Sequence, residues 1–151
     1  MAQTVESLTL TNGHYQQMIE HLLACLPAEG CGLLGGLAGD LRSQVMLPVP
    51  NALNSPVRFR MDPTAQLQAF YALEARGLEL LAVFHSHPAG PHHPSATDLA
   101  EFAYPGVLYL IWSPAAWGWQ CHAYRITAGA YEPIPIEIIP EISIPKGAEG
   151  L

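Results

Sequence analysis

Charge is scarce in this chain: only 13% of its 151 residues are Asp, Glu, Lys or Arg. Basic residues are the scarcest, six Lys and Arg against thirteen Asp and Glu, for a formal net charge of −7. That balance repels phosphate and lacks the basic footprint of a nucleic-acid-binding protein, so no nucleic-acid partner is expected. Cysteine is also rare. Cys25, Cys31 and Cys121 are odd in number, widely spaced and without a CxxC pair, which excludes a thiolate zinc knuckle and a redox dithiol. Buried free thiols in a reducing compartment are the expectation for Cys25 and Cys121. No run approaches about 18 uninterrupted apolar residues, so no membrane-spanning helix is expected. The opening MAQTVESLTL has neither the basic segment nor the apolar core of a secretory signal, and the expected location is cytoplasmic.

Apolar residues, by contrast, make up 50% of the chain, too many for a disordered polymer. The length suits one domain. It is expected over residues 1–138, with 139–151 as a flexible tail. SLTLT (7–11) alternates and reads as a short strand, with Thr11 or Asn12 capping a following helix. Tyr15, Met18, Ile19, Leu22, Leu23 and Leu26 then recur at helical spacing, and Pro27 stops the helix. CGLLGGLAG and LRSQVMLPV read as a hairpin around Gly39-Asp40. VRFRM (57–61) reads as a third short strand. Asp62-Pro63 opens a second helix carrying Leu67, Phe70, Tyr71 and Leu73 and ending at Gly77. LELLAVF (78–84) and VLYLIW (107–112) read as strands buried on both faces. A short helix starts near Ser95. WGWQCHAYRIT follows a turn at Pro114 as an antiparallel neighbour, and the proline-spaced segment from Glu132 is at most an edge strand. The order is α+β, α/β-like, with a mixed central sheet flanked by helices.

The chemistry concentrates where the 78–84 strand ends. His85-Ser86-His87 places two imidazoles on one side of an extended segment, since strand side chains alternate. Asp98, at the start of the next helix, completes H-x-H-x10-D. Two histidines and a carboxylate with an open fourth position suit a catalytic Zn²⁺. Taken alone, Ser95-x-x-Asp98 reads first as a helix capping box, a role compatible with metal ligation. Hydrolysis also needs a base that is not a ligand. Glu29, in PAEGCGLLGG between a helix end and a strand start, is the candidate, although by itself it would read as a solvated loop carboxylate. Cys31 is expected to pack in its strand. His92 and His93 are expected to be solvated, and His14, His21 and His122 have no motif partner. Trp112, Trp117 and Trp119 are assigned to core or edge packing.

Glu29 with Cys31-Gly32-Leu33-Leu34-Gly35, His85-Ser86-His87-Pro88, and Pro94-Ser95 with Asp98 together resemble the JAMM (MPN+) metalloprotease motif. Asn51 and the run Phe59-Arg60-Met61-Asp62-Pro63 resemble the small prokaryotic members. The resemblance spans about residues 7–130. It implies a cytidine-deaminase-like three-layer fold. It further implies zinc held by His85, His87 and Asp98, Glu29 moving the proton, and Ser95 hydrogen-bonding the water or the oxyanion. The implied substrate is the amide or isopeptide bond after the C-terminal Gly-Gly of a ubiquitin-like or sulfur-carrier protein, its tail laid against hairpin 31–49 and segment 51–61 by strand addition. Two rivals are a non-enzymatic zinc-containing binding module of a sulfur-transfer assembly and a DNA-repair-associated relative sharing the H-x-H-P loop. A zinc nucleoside deaminase would need H-x-E and P-C-x-x-C, and neither is present.

Overall fold

The computed structural model describes residues 6–141. The strand β1 (Leu8–Thr11) leads into helix α1 (Asn12–Cys25), whose first turn is capped by the Thr11 side chain accepting from the His14 amide. The hairpin β2 (Cys31–Gly36) and β3 (Val45–Val49) follows, then helix α2 (Pro63–Ala75) with Asp62 as its cap. After β4 (Glu79–Ser86) come the short helix α3 (Ala96–Glu101) and strands β5 (Leu108–Ala115), β6 (Gly118–Thr127), β7 (Ala130–Ile134) and β8 (Ile136–Ile139).

Six strands form one sheet in the order β3-β2-β4-β5-β6-β7. β4 and β5 run parallel, joined by the α3 crossover, and their other neighbours are antiparallel. One face packs on α1 through Met18, Leu22, Leu34, Phe84, Leu110 and Trp112. The other, with Leu33, Val83, Tyr109, Ile111 and Tyr124, carries α2 and α3 through Ala69, Leu99 and Phe102. Full burial of a side chain such as Phe84 contributes about 2–3 kcal/mol, so this central strand is secured from both faces. The result is the expected mixed sheet flanked by helices, in three layers.

Several local expectations are corrected. Segment 57–61 is not a strand: apart from an isolated bridge between Asn51 and Met61 it makes no ladder, and Val57 is 75% exposed. The Asn51 side chain takes the Arg58 carbonyl and the Arg60 amide that a ladder would need. Leu23 and Leu26 on α1, and Leu67 and Tyr71 on α2, are exposed. Of the expected α2 face, Leu73 is buried and Phe70 packs on the apolar cluster as expected, joined there by Ala65 and Ala69. Pro114 lies within β5, and the β5–β6 turn is Ala116-Trp117. The proline-spaced C-terminal segment forms two strands rather than at most one. β7 is the sheet edge, with Pro133 tolerated there, while β8 pairs in parallel with β1 in a separate two-stranded sheet. Ile139 belongs to β8, and the expected tail lies for the most part outside the described residues. No described helix is long and apolar enough to cross a membrane.

Candidate metal centre

The C-terminal end of β4 organises the centre. His85 pairs in register with Cys31 of β2 and Ile111 of β5, so it is central in the sheet and wholly buried. Alternation sends His85 and His87 toward the α2–α3 face and Ser86 toward α1. Phe59 stacks on the His85 ring, centroids 4.4 Å apart. The Ser86 hydroxyl accepts from the Gly30 amide at 2.9 Å, and the Ser86 amide donates to the Gly30 carbonyl at 3.0 Å. That exchange docks the residue after Glu29 onto the H-S-H segment. The fit is close at Gly30: a Cβ there would lie 2.7 Å from Leu22 Cδ2, so a larger residue would require the Leu22 side chain to shift.

Four buried groups converge: Glu29, His85, His87 and Asp98. The two imidazole Nε2 atoms lie 2.9 Å apart. Asp98 reaches both, Oδ2 at 3.1 Å from His87 Nε2 and Oδ1 at 3.4 Å from His85 Nε2. Glu29, His85 and His87 each present a ligand atom within 4.8 Å of the others. This close set differs in one member from the expected His85, His87 and Asp98, so the two Nε2 atoms are bordered by both carboxylates.

The donor set fits a cation. His87 Nδ1 lies 2.7 Å from the Pro91 carbonyl, which can only accept, so Nδ1 carries the proton. In the neutral ring Nε2 is then a bare lone pair, facing the Asp98 carboxylate and His85 Nε2. Such a set of acceptors is stable only around a proton or a metal ion. The electrostatics agree. Burial opposes charge on His87, but the Asp98 hydrogen bond, the Pro91 carbonyl and the Asp98 charge outweigh it and hold its pKa above the ordinary value. Burial lowers the pKa of His85. Burial also disfavours the Asp98 carboxylate, yet hydrogen bonds from His85, His87 and Ser95 prevail and hold it well below the usual carboxylate range. Glu29 behaves oppositely. Burial pushes it up to about 7, with the His87 charge pulling down and Asp98 pushing further up. A carboxylate poised near neutrality is suited to general acid–base work.

Ser95 and Asp98 form a reciprocal capping box at α3: the Ser95 hydroxyl accepts from the Asp98 amide at 3.0 Å, and Asp98 Oδ2 accepts from the Ser95 amide at 2.9 Å. The Ser95 hydroxyl proton remains free to donate. Tyr109 fixes the other Asp98 oxygen, donating to Oδ1 at 3.0 Å.

Residues 11–127 match the family described as prokaryotic homologs of the JAB domain, Prok-JAB. The chain belongs to that family. It is 42% identical over 95 residues to the probable TtuB-protein conjugate cleaving protease of Thermus thermophilus, a match covering 62% of this chain and 62% of that protein. It is 30% identical over 137 residues to the CysO-cysteine peptidase of Mycobacterium tuberculosis, covering 90% of this chain and 94% of that one. The solution structure of a Desulfitobacterium hafniense protein superposes with a TM-score of 0.81 at 36% identity, covering 89% of this chain and 94% of that one.

Within this Prok-JAB domain a cavity of about 230 Å³ adjoins the centre, between segment 57–61 and α3, lined by Arg58, Phe59, Ser95, Asp98, Tyr104 and Tyr109. Arg58 and Glu101 pair across its mouth at 3.2 Å. Cys31 packs as expected, its thiol donating to the Val49 carbonyl. Cys25 and Cys121 are free but only partly buried. Three histidines without motif partners have structural ones. His14 contacts the Ser43 hydroxyl, His21 the Cys31 carbonyl, and His122 stacks on the exposed His92 at 4.5 Å. Trp112 is core, whereas Trp117 stands 81% exposed at the β5–β6 turn. Ser86 and Tyr109 are functional neighbours that sequence reading missed. The alternation of H-S-H could have revealed Ser86, and the one hydroxyl in the buried apolar run Leu108–Trp112 could have revealed Tyr109.

Proposed function

We propose that this protein is a zinc-dependent peptidase of the cytoplasm, with one catalytic domain over residues 1–138. It hydrolyses the amide bond after the C-terminal Gly-Gly of a ubiquitin-like or sulfur-carrier protein, releasing cysteine or a lysine-linked target. The observation that carries this reading is a buried Glu29 carboxylate beside two imidazoles and a second carboxylate arranged around one point. The near full-length match to a CysO-cysteine peptidase supports the substrate class.

His85, His87 and Asp98 would hold the ion; when bound, Zn²⁺ supplies Lewis-acid activation of water and of the scissile carbonyl. Glu29 takes the proton of the attacking water on its carboxylate and delivers it to the departing amine. Ser95 keeps its cap by accepting from the Asp98 amide and directs its free hydroxyl proton at the developing oxyanion. Hairpin 31–49 and segment 51–61 flank the Gly-Gly tail, which carries no side chains to obstruct the narrow approach. Mixing the zinc-loaded protein with a carrier extended by Gly-Gly-cysteine tests the reading: release of cysteine that stops on chelation supports it, and an intact fusion refutes it.

A further inference from the structure

The Asn51 side chain spends its whole hydrogen-bonding capacity in one place. Its Nδ2 donates to the Glu29 carbonyl at 3.0 Å and to the Arg58 carbonyl at 3.0 Å. Its Oδ1 accepts from the Leu53 amide at 3.1 Å and the Arg60 amide at 3.0 Å. The amide orientation is fixed by this pattern, since a flipped side chain would set oxygen against two carbonyls. The Glu29 backbone is held from its other side as well, its amide donating to the Ser55 carbonyl at 2.8 Å. Segment 51–60 therefore grips both backbone polar groups of Glu29. The same segment carries Phe59 onto the His85 ring and forms one wall of the cavity beside Asp98. It has almost no ladder of its own; besides one backbone bond across it, the Ala52 amide to the Arg60 carbonyl at 2.7 Å, its shape is set by the four hydrogen bonds of the Asn51 side chain.

We infer that Asn51 is a positioning residue that locks Glu29 and the 51–60 wall into one unit, so the proton-carrying carboxylate is held in register with the surface that receives substrate. This rests on the reading of Glu29 as the proton carrier. Asn51 touches neither imidazole nor Asp98, so its loss leaves the ion-binding set intact. The two halves of its amide have separable roles. The oxygen shapes the loop through Leu53 and Arg60, and the nitrogen joins that loop to Glu29.

Zinc-loaded wild type, Asn51→Ala and Asn51→Asp are compared by zinc content, amide hydrogen exchange, and kcat and KM on a carrier–Gly-Gly-cysteine fusion. Asn51→Asp is isosteric but points oxygen at the Glu29 and Arg58 carbonyls. Both variants are expected to keep full zinc and unchanged exchange at Leu33 in β2. Exchange at the Glu29 amide rises about tenfold, and kcat falls on the order of 10²-fold, as for a reacting group displaced by about 1 Å. Asn51→Asp fails to rescue Asn51→Ala. The inference is overturned by Glu29 exchange and kcat that stay at wild-type values, by an Asn51→Asp variant with wild-type kcat, or by loss of zinc, which would make Asn51 a support of the ion site. If wild type leaves the fusion intact, the hydrolase reading fails separately, and Glu29 exchange alone decides the clamp.

Discussion

The Tyr109 hydroxyl donates a 3.0 Å hydrogen bond to Asp98 Oδ1, from a buried position on β5. Asp98 Oδ2 already accepts from the Ser95 amide, so both oxygens of this carboxylate are oriented before any ion arrives. Outer partners of this kind typically account for about 10–100-fold in metal affinity.

Tyr109→Phe removes only the hydroxyl and keeps the ring packed on Phe102, 5.5 Å away. The fold should persist, and zinc affinity measured by chelator competition should weaken by about 10–100-fold. Unchanged affinity would show that Ser95 and the imidazoles alone orient Asp98.

Glu29 predicts a pH signature in the zinc-free protein. Its folded pKa is raised from an ordinary 4.5 to about 7, so the folded state prefers the protonated form. The resulting stability is present in full below about 4.5 and is lost as pH rises through about 7. Chemical unfolding of zinc-free wild type and Glu29→Gln across this range should give a difference curve in which wild type loses stability with rising pH relative to the variant. A flat difference would mean that the carboxylate is solvated.

Ser95→Ala separates the two roles of the hydroxyl. Losing the cap to the Asp98 amide costs about 1 kcal/mol of stability, whereas losing an oxyanion donor lowers kcat by about 10²–10³-fold. Thermal unfolding and kcat measured together should show the catalytic loss far exceeding the stability loss. A variant with only the stability loss would confine Ser95 to capping.

Zinc removal distinguishes a catalytic ion from a structural one. Two apolar clusters, one on each face of the sheet, hold the described residues together without any metal contact. Chelation should therefore abolish hydrolysis while leaving the circular-dichroism spectrum largely unchanged. Unfolding on chelation would favour the non-enzymatic binding module.

Much of this was legible in the chain because β4 and β5 carry the uninterrupted apolar runs Leu80–Phe84 and Leu108–Trp112, and such runs betray a central strand. His85, His87, Ser95 and Asp98 lie within 14 residues on one strand–loop–helix unit, so local spacing alone brought them together on paper. Glu29 was harder, because its meeting with His85 depends on the β2–β4 register: its place between a helix end and a strand start made it a candidate, and the motif resemblance decided it over a solvated loop carboxylate. Segment 57–61 misled because its alternation is real but its backbone groups are taken by a side chain, which no periodicity records. The α2 face was half legible: Phe70 and Leu73 turn inward as their spacing suggests, whereas Ala65 and Ala69, which looked neutral, share that face and Leu67 and Tyr71 point outward. β8 was obscured by prolines, which rule out a central ladder but not a two-stranded pairing with β1.

The central claim is that Glu29 carries the proton while His85, His87 and Asp98 hold the ion. The most direct measurement is zinc content and turnover of Glu29→Gln on a carrier–Gly-Gly-cysteine fusion, beside wild type. The account predicts full zinc occupancy with cysteine release reduced to background. Undiminished release in the zinc-loaded variant would contradict it.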